Sequence, residues 1–168
     1  MRRFLTLLSA VLITACSDGD LQIETIDFDD TPVQFCDSQT TTDSNFFFKI
    51  SGDQALILVL QDGVLANEVS DGTIVSTVPG QSRLIYRIFT DDVSKTYFCD
   101  ELPPAEPSVL EEVEAAAGEI LVTTLQSESD STVFEHNIVL SNISLVNDKG
   151  ERITDLRINN FGTITTSE

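Results

Sequence analysis

The sequence of 168 residues has few positive charges and few of the side chains that usually carry out chemistry. Nine Lys and Arg residues stand against 28 Asp and Glu residues, so the formal net charge is −19. Such an acidic surface repels phosphate backbones, which argues against nucleic-acid binding. Hydrophobic residues make up 41% of the chain. This is too apolar for a disordered acidic tail, and we expect a folded domain.

Candidates for catalysis are scarce as well. The sequence has no Trp, one His and none of the GxGxxG, GxSxG or P-loop motifs. The single histidine, His136, lies in a segment with strand-like alternation and shares a face with Phe134 and Ile138. We therefore predict that His136 is a packed or edge residue that makes one hydrogen bond, and we predict no catalytic residue.

The amino terminus has the composition of an export signal. Arg2 and Arg3 precede an apolar run over residues 4–13, which is too short to span a bilayer because a spanning helix needs ~20 residues. Residues 12–16 read Leu-Ile-Thr-Ala-Cys and resemble the lipobox of bacterial lipoproteins. That resemblance implies cleavage before Cys16, with Cys16 then carrying acyl chains that anchor the protein in a membrane.

The residues that follow the lipobox also resemble lipoprotein sequences. Ser17 stands where an inner-membrane retention signal has Asp, and the acidic segment 17–20 resembles the export tract of Bacteroidota-type lipoproteins. Together with residues 55–58 and 160–163, residues 16–20 resemble small flavobacterial-type lipoproteins to which no activity is assigned. These resemblances imply the outer membrane, on its cell-surface or periplasmic face, and a β-rich architecture. They carry over no functional residue.

The three cysteines divide between the anchor and a bridge. Once Cys16 is assigned to the lipid, Cys36 and Cys99 remain in a chain exported to an oxidising compartment. A zinc site is the alternative, but the chain has no CxxC pair and only one His. We predict a Cys36–Cys99 disulfide.

The rest of the chain alternates between apolar runs and turn residues. Residues 55–60 are apolar on both faces, which is typical of a central strand, and turns are expected at 51–53, 79–80 and 147–150. A strand count near ten predicts an all-β fold, either an antiparallel β-sandwich or an open barrel. The predicted strands are 33–36, 46–50, 55–60, 73–78, 83–89, 96–99, 120–125, 132–146 (with a bend near 141–142), 152–158 and 161–165.

One segment after the proline-rich stretch fits two structures. Ser108 and Glu111 form a capping-box pattern, and the apolar residues of 109–113 follow helical spacing. The same residues also fit a strand that turns at Gly118. We favour a short helix or irregular turn near 109–117.

These patterns divide the chain into three parts. Residues 1–15 are predicted to be a removed signal peptide, residues 16–30 a lipidated Cys with an acidic tether, and residues 31–168 a single β-sandwich domain. Each half of the last part, at ~60 to 80 residues, would have only a marginal core alone.

Acidic clusters raise the question of calcium. Asp27, Asp29 and Asp30 come closest to a loop of hard oxygen ligands, although the EF-hand spacing is absent. The alternative is a solvated acidic face that keeps the protein soluble. We predict no cofactor and retain these three residues as calcium candidates.

The predicted function follows from location and from the lack of a catalytic motif. We expect an outer-membrane-anchored, non-enzymatic binding or structural module, attached to the membrane through Cys16. One alternative is an accessory subunit of a cell-envelope assembly, which would have a protein partner. Another is a carboxylate-based enzyme that acts on envelope polymers.

Overall fold

The computed structural model describes residues 26–147, 149–150, 152–153 and 159–167, and the predicted signal peptide and Cys16 lie outside these residues. The described part is mainly β, as the apolar patterns predict. Its elements are β1 Phe46–Ser51, β2 Gln54–Val59, β3 Ile74–Val78, β4 Arg83–Phe89, α1 Lys95–Cys99, β5 Val109–Gln126, β6 Val133–Val146, β7 Arg152–Ile153 and β8 Asn160–Ser167. No helix in these ranges is long and apolar enough to cross a bilayer.

The strands form one antiparallel sheet that curls into a half-barrel. Its order is β1-β2-β4-β5-β6-β7, while β3 pairs with β5 and β8 pairs with β6. Of the two predicted architectures, the described residues therefore adopt the open barrel, with their strands in one sheet.

The first hairpin follows its sequence pattern. β1 and β2 pair across a turn in which Gly52 has φ +60°, and β2 lies between β1 and β4. Four consecutive β2 side chains are buried, Ala55 and Leu58 among them. The predicted central strand is confirmed.

The sheet has apolar clusters on both sides of β1, β2 and β4. The inner core fills the concave side and includes Phe47, Leu56 and Tyr86. The outer cluster lies on the opposite face, where Phe48 and Phe89 are covered by α1 and the neighbouring Val93. Side chains alternate across a strand, so adjacent residues of β1 serve the two clusters in turn.

The strand predicted at residues 96–99 is wrong, because these residues belong to helix α1. Tyr97 and Phe98 both pack against Phe89, with ring centroids 4.9 and 6.2 Å from it. Neighbouring residues of a strand point in opposite directions and cannot both reach one ring. A helical turn brings both rings onto the outer cluster.

The short helix favoured near 109–117 is also wrong, because β5 runs through this segment without a break in the chain direction. Its first half pairs with β4, and the Arg83 guanidinium donates to the Glu114 carboxylate across the two strands at 2.7 Å. The turn considered at Gly118 is an irregularity within β5, where Gly118 has φ +137°. The local pattern of this segment fits both a helix and a strand, and its pairing with β4 determines that it forms a strand.

The predicted turn at residues 79–80 joins strands that run in the same direction. β3 and β4 are both antiparallel to β5 and pair with successive stretches of it. The backbone amides of Gln81 and Ser82 both donate to the Thr77 carbonyl oxygen, which closes the turn. The two strands therefore do not form a hairpin with each other.

The predicted bend near 141–142 and the predicted pairing of the last long strand with the segment after it are confirmed for the described residues. β6 is irregular at the predicted bend, where Asn142 has φ 53°. β7 pairs with the end of β6, and the rest of the predicted 152–158 strand lies outside the described residues.

A strap formed by residues 33–40 connects the two ends of the half-barrel. Gln34 forms a backbone bridge to Phe48 in β1, and the Thr40 hydroxyl donates to the Thr165 carbonyl oxygen in β8. The strand predicted at 33–36 is thus reduced to a single bridge.

The predicted boundary between tether and domain is too late in the chain. Ile26 and Phe28 are 0% and 1% exposed and belong to the inner core. The Lys49 ammonium donates to the Phe28 carbonyl oxygen at 2.7 Å, which fastens this segment to β1. The folded domain includes residues from Ile26 onward, five residues earlier than position 31.

Candidate functional site

The concave side of the half-barrel is filled at one end by a loop. We call residues 61–70, which follow β2, the plug loop. Its Val64 and Leu65 are 5% and 3% exposed and pack into the inner core. The plug loop therefore belongs to the core at these residues.

The plug loop meets a buried layer of polar side chains. Thr124 of β5, His136 of β6 and Thr166 of β8 are all at most 2% exposed. The His136 Nδ1 atom is 2.8 Å from the Thr124 Oγ1 atom, and its Nε2 atom is 2.8 Å from the Thr166 Oγ1 atom. Buried polar groups are costly unless they are hydrogen-bonded, and these three satisfy one another.

The direction of the hydrogen bonds follows from a fourth residue. The Thr166 hydroxyl donates to the Asn67 Oδ1 atom of the plug loop at 2.6 Å. A hydroxyl has a single hydrogen, so Thr166 must accept its other bond from His136 Nε2–H. His136 Nδ1 is then the acceptor for the Thr124 hydroxyl. The network is complete with a neutral imidazole, and burial lowers the pKa of His136.

The face predicted for His136 is confirmed. Phe134 and Ile138 are buried like His136, at alternating positions of β6. His136 makes two hydrogen bonds rather than the predicted one, because strands on both sides supply a hydroxyl. Both ring nitrogens are occupied within the core.

A second contact fastens the plug loop to β5. The Ser70 backbone amide donates to the Thr124 carbonyl oxygen at 3.1 Å, and the Thr124 amide donates to the Ser70 hydroxyl at 3.0 Å. The plug loop is thus held at Asn67 and at Ser70, two positions that lie close to the same polar layer.

A shallow cleft of about 460 Å³, wide open to solvent, lies between the plug loop and the segment 41–45. Thr42 and Asp43 form one wall, while Gly63 and residues 65–68 form the other. The Asn45 side-chain amide donates to the Asp62 carboxylate at 2.9 Å and ties the two segments together. The cleft is the candidate functional site.

The calcium candidates do not line this cleft, and two of them, Asp27 and Asp29, interact electrostatically with the buried Lys49. Asp27, Asp29 and Asp30 are exposed, and the Asp29 amide donates to the Asp27 carboxylate at 3.1 Å. Burial lowers the pKa of Lys49, and the Asp29 and Asp27 carboxylates oppose that shift. Across the ranges that the structure describes, no three His, Cys, Asp or Glu side chains gather as a metal site.

The predicted bridge is present. Cys36 of the strap is bonded to Cys99 at the end of α1, with Cα atoms 5.1 Å apart. The disulfide connects the strap to the helix that covers the outer cluster. The predicted lipidation residue, Cys16, lies outside the described residues.

The cleft residue Asn67 was not among the residues singled out from the sequence. Its partner Thr166 is 99 positions away in the chain, and no local motif marks either residue. No protein-family model, no curated protein and no solved structure matches the chain.

Proposed function

We propose that this protein is an outer-membrane lipoprotein, anchored through Cys16, whose folded domain is a non-enzymatic binding module. The anchor is supported by residues 12–16, which resemble a lipobox. The binding role is supported by one observation. Asn67, which lines the cleft, accepts a hydrogen bond from the buried Thr166 hydroxyl, and Thr166 is itself hydrogen-bonded to the buried His136. A site with preset polar groups is typical of ligand recognition.

The position of Ile26 limits how far the first residue of the core can lie from the proposed anchor. Ile26 is buried in the inner core and follows Cys16 by ten positions. Since an extended chain spans at most ~3.5 Å per residue, a lipidated Cys16 would keep Ile26 within ~35 Å of the lipid.

A second candidate function is a carboxylate-based enzyme acting on envelope polymers. It is favoured by Asp43 and Glu68, which line the same cleft. Both side chains are exposed, however, whereas a carboxyl group that serves as a general acid is usually kept in an apolar pocket. No aromatic ring lines this cleft to support a sugar. We therefore prefer a binding role.

The anchor is tested by feeding producing cells an alkyne-labelled fatty acid and measuring the label on the purified protein. Wild-type protein should carry the label, and Cys16→Ser should lose it. The matched control is the Cys36→Ser/Cys99→Ser double variant, which should keep the label because it retains Cys16. A label that survives in Cys16→Ser would contradict the proposed anchor.

The enzymatic alternative is tested by incubating the purified protein with envelope polysaccharide and measuring the release of reducing ends. A binding module should release none above the blank. Release that disappears in Asp43→Asn and in Glu68→Gln would favour the enzyme instead.

A further inference from the structure

The two halves of the plug loop are held in place by different forces. Val64 and Leu65 in the first half are 5% and 3% exposed and pack into the inner core, a contact that does not involve a titrating group. In the second half Val69 is 54% exposed, and no side chain of residues 66–70 is buried. We call residues 66–70 the latch segment. Its contacts with the polar layer are hydrogen bonds rather than apolar packing.

The latch segment is attached to two residues that His136 also contacts. The Asn67 Oδ1 atom accepts from the Thr166 hydroxyl at 2.6 Å, and the Thr166 Oγ1 atom lies 2.8 Å from His136 Nε2. The Ser70 amide donates to the Thr124 carbonyl oxygen at 3.1 Å, and the Thr124 Oγ1 atom lies 2.8 Å from His136 Nδ1. The imidazole therefore stands between the two residues that hold the latch segment.

This arrangement accommodates a neutral imidazole and not a charged one. Thr166 uses its single hydrogen on Asn67, so Nδ1 of His136 is the acceptor for the Thr124 hydroxyl. A proton on Nδ1 would make this atom a second donor, and the Thr124 hydroxyl would lose the acceptor for its hydrogen. It would also place a positive charge among side chains that are at most 2% exposed, which is costly unless that charge is paired or hydrated.

Among the described residues, the acids on the elements around His136 are placed where they do not pair with this charge. Glu119 of β5 and Glu135 of β6 alternate with inward-facing side chains, so both point to the outer face. Strand β8 has no charged residue. Asp62 and Glu68 of the plug loop are exposed to solvent. Burial accordingly lowers the pKa of His136 without an opposing contribution from a charge.

We propose that His136 and the latch segment form an acid-sensitive latch, closed at neutral pH and opened by protonation of the imidazole. The charged ring would be hydrated by water that enters where residues 66–70 leave the polar layer. The strands on either side of the ring are less able to move, because continuous backbone ladders join them to β6. Val64 and Leu65 remain in the core, so the opening is local. The latch requires neither the proposed lipid on Cys16 nor a ligand in the cleft.

The size of the effect follows from proton linkage. In the open state the hydrated imidazole titrates near the ordinary histidine pKa of about 6.5, whereas burial lowers the pKa of His136 in the closed state. The open state therefore binds the proton first as the pH falls. The ratio of open to closed molecules should rise by up to about tenfold per pH unit below about pH 6.5, until His136 titrates in the closed state as well.

The test is native-state hydrogen exchange, followed by NMR on the ¹⁵N-labelled full-length protein in non-ionic detergent between about pH 7.5 and pH 5. The reporters are the Ser70 amide and the Thr124 amide, which donates to the Ser70 hydroxyl at 3.0 Å. After correction for intrinsic exchange, the protection of both should fall by up to about tenfold per pH unit below pH 6.5. The Gln61 amide, which donates to the Ser82 hydroxyl at the other end of the plug loop, is the internal control and should keep its protection.

Two variants assign the pH dependence to one group. His136→Gln removes the titrating ring, so the protection of the Ser70 amide should no longer change with pH. Glu68→Gln removes the carboxylate of the latch segment itself and should leave the pH dependence in place. A measurement on the wild-type protein is added in case His136→Gln does not fold. The ¹⁵N shifts of the imidazole at neutral pH should show the hydrogen on Nε2, as the hydrogen bonds require.

Four results would overturn the latch. The first is a Ser70 protection that does not change with pH in the wild-type protein, and the second is an equal fall at Gln61, which would mean that the whole domain opens. The third is a pH dependence that persists in His136→Gln or disappears in Glu68→Gln. The fourth is an imidazole that carries its hydrogen on Nδ1 at neutral pH, because the closed network described above would then be wrong.

Discussion

Strands β1, β2 and β4 are buried on both faces, whereas β5, β6 and β8 are buried mainly on the concave face. On the outer face of the first group, Phe48, Ile57 and Ile85 are direct cross-strand neighbours and all are buried. The equivalent outer row of the second group consists of Thr123, Asn137 and Thr163.

The difference lies in what covers each outer face. The apolar row is covered by the five-residue helix α1, and the disulfide attaches the end of that helix to the strap. The polar row needs no cover because its side chains are compatible with water. A short helix has little stability of its own, so the first half of the sheet depends on packing and on a covalent link that the second half does not use.

The largest expected loss of stability comes from removing an aromatic ring from the outer cluster. Phe48 is 0% exposed and stacks on Phe98 with ring centroids 4.6 Å apart. We expect Phe48→Ala to lower the free energy of unfolding by about 4 kcal/mol, as large-to-small core changes do. Urea unfolding followed by circular dichroism measures this.

The matched change on the other half is Thr163→Ala, at an exposed outer position of β8. Its expected effect is below about 0.5 kcal/mol. Similar losses for the two variants would show that the two outer faces do not differ in the proposed way.

The second prediction concerns the disulfide. The bridge closes a separation of 63 residues, for which the chain-entropy estimate is about 4 kcal/mol. We expect the Cys36→Ser/Cys99→Ser variant to lose about 3 kcal/mol, with α1 released from the outer cluster. Hydrogen exchange should accelerate first at the amides of α1, while the amides of β5 and β6 stay protected. Cys16→Ser is the control for a cysteine change outside the bridge, and an even loss of protection over all strands would contradict the prediction.

The same contrast explains what the sequence could predict. Continuous apolar residues at 55–58 indicate burial on both faces, and alternation around His136 indicates burial on one, so both patterns predict the fold correctly. The expectation of an exported chain, together with the assignment of Cys16 to a lipid, predicts the Cys36–Cys99 pair, and the structure has this disulfide.

The wrong predictions share one physical cause, which is long-range contact. Residues 109–113 fit a helix locally, but they pair with β4. Tyr97 and Phe98 favour a strand by composition, but both must reach Phe89. The candidate site could not be predicted from the sequence for the same reason, because Asn67 is hydrogen-bonded to Thr166 on the last strand, far away in the chain.

The third prediction concerns the inner side of the second half of the sheet, where Thr124, His136 and Thr166 form a buried polar layer. The unfolded chain binds a proton at His136 with the ordinary histidine pKa of about 6.5, whereas burial lowers the pKa of His136 in the folded state. The unfolded state therefore binds more protons just below pH 6.5, and stability falls as the pH drops through that value by at most about 1.4 kcal/mol per pH unit. Urea unfolding between pH 8 and pH 5 measures the slope. Because His136 is the only histidine, this step is assigned to it, and His136→Gln should flatten the step. A wild-type profile that is equally flat over the same interval would mean that the polar layer tolerates an imidazolium ion.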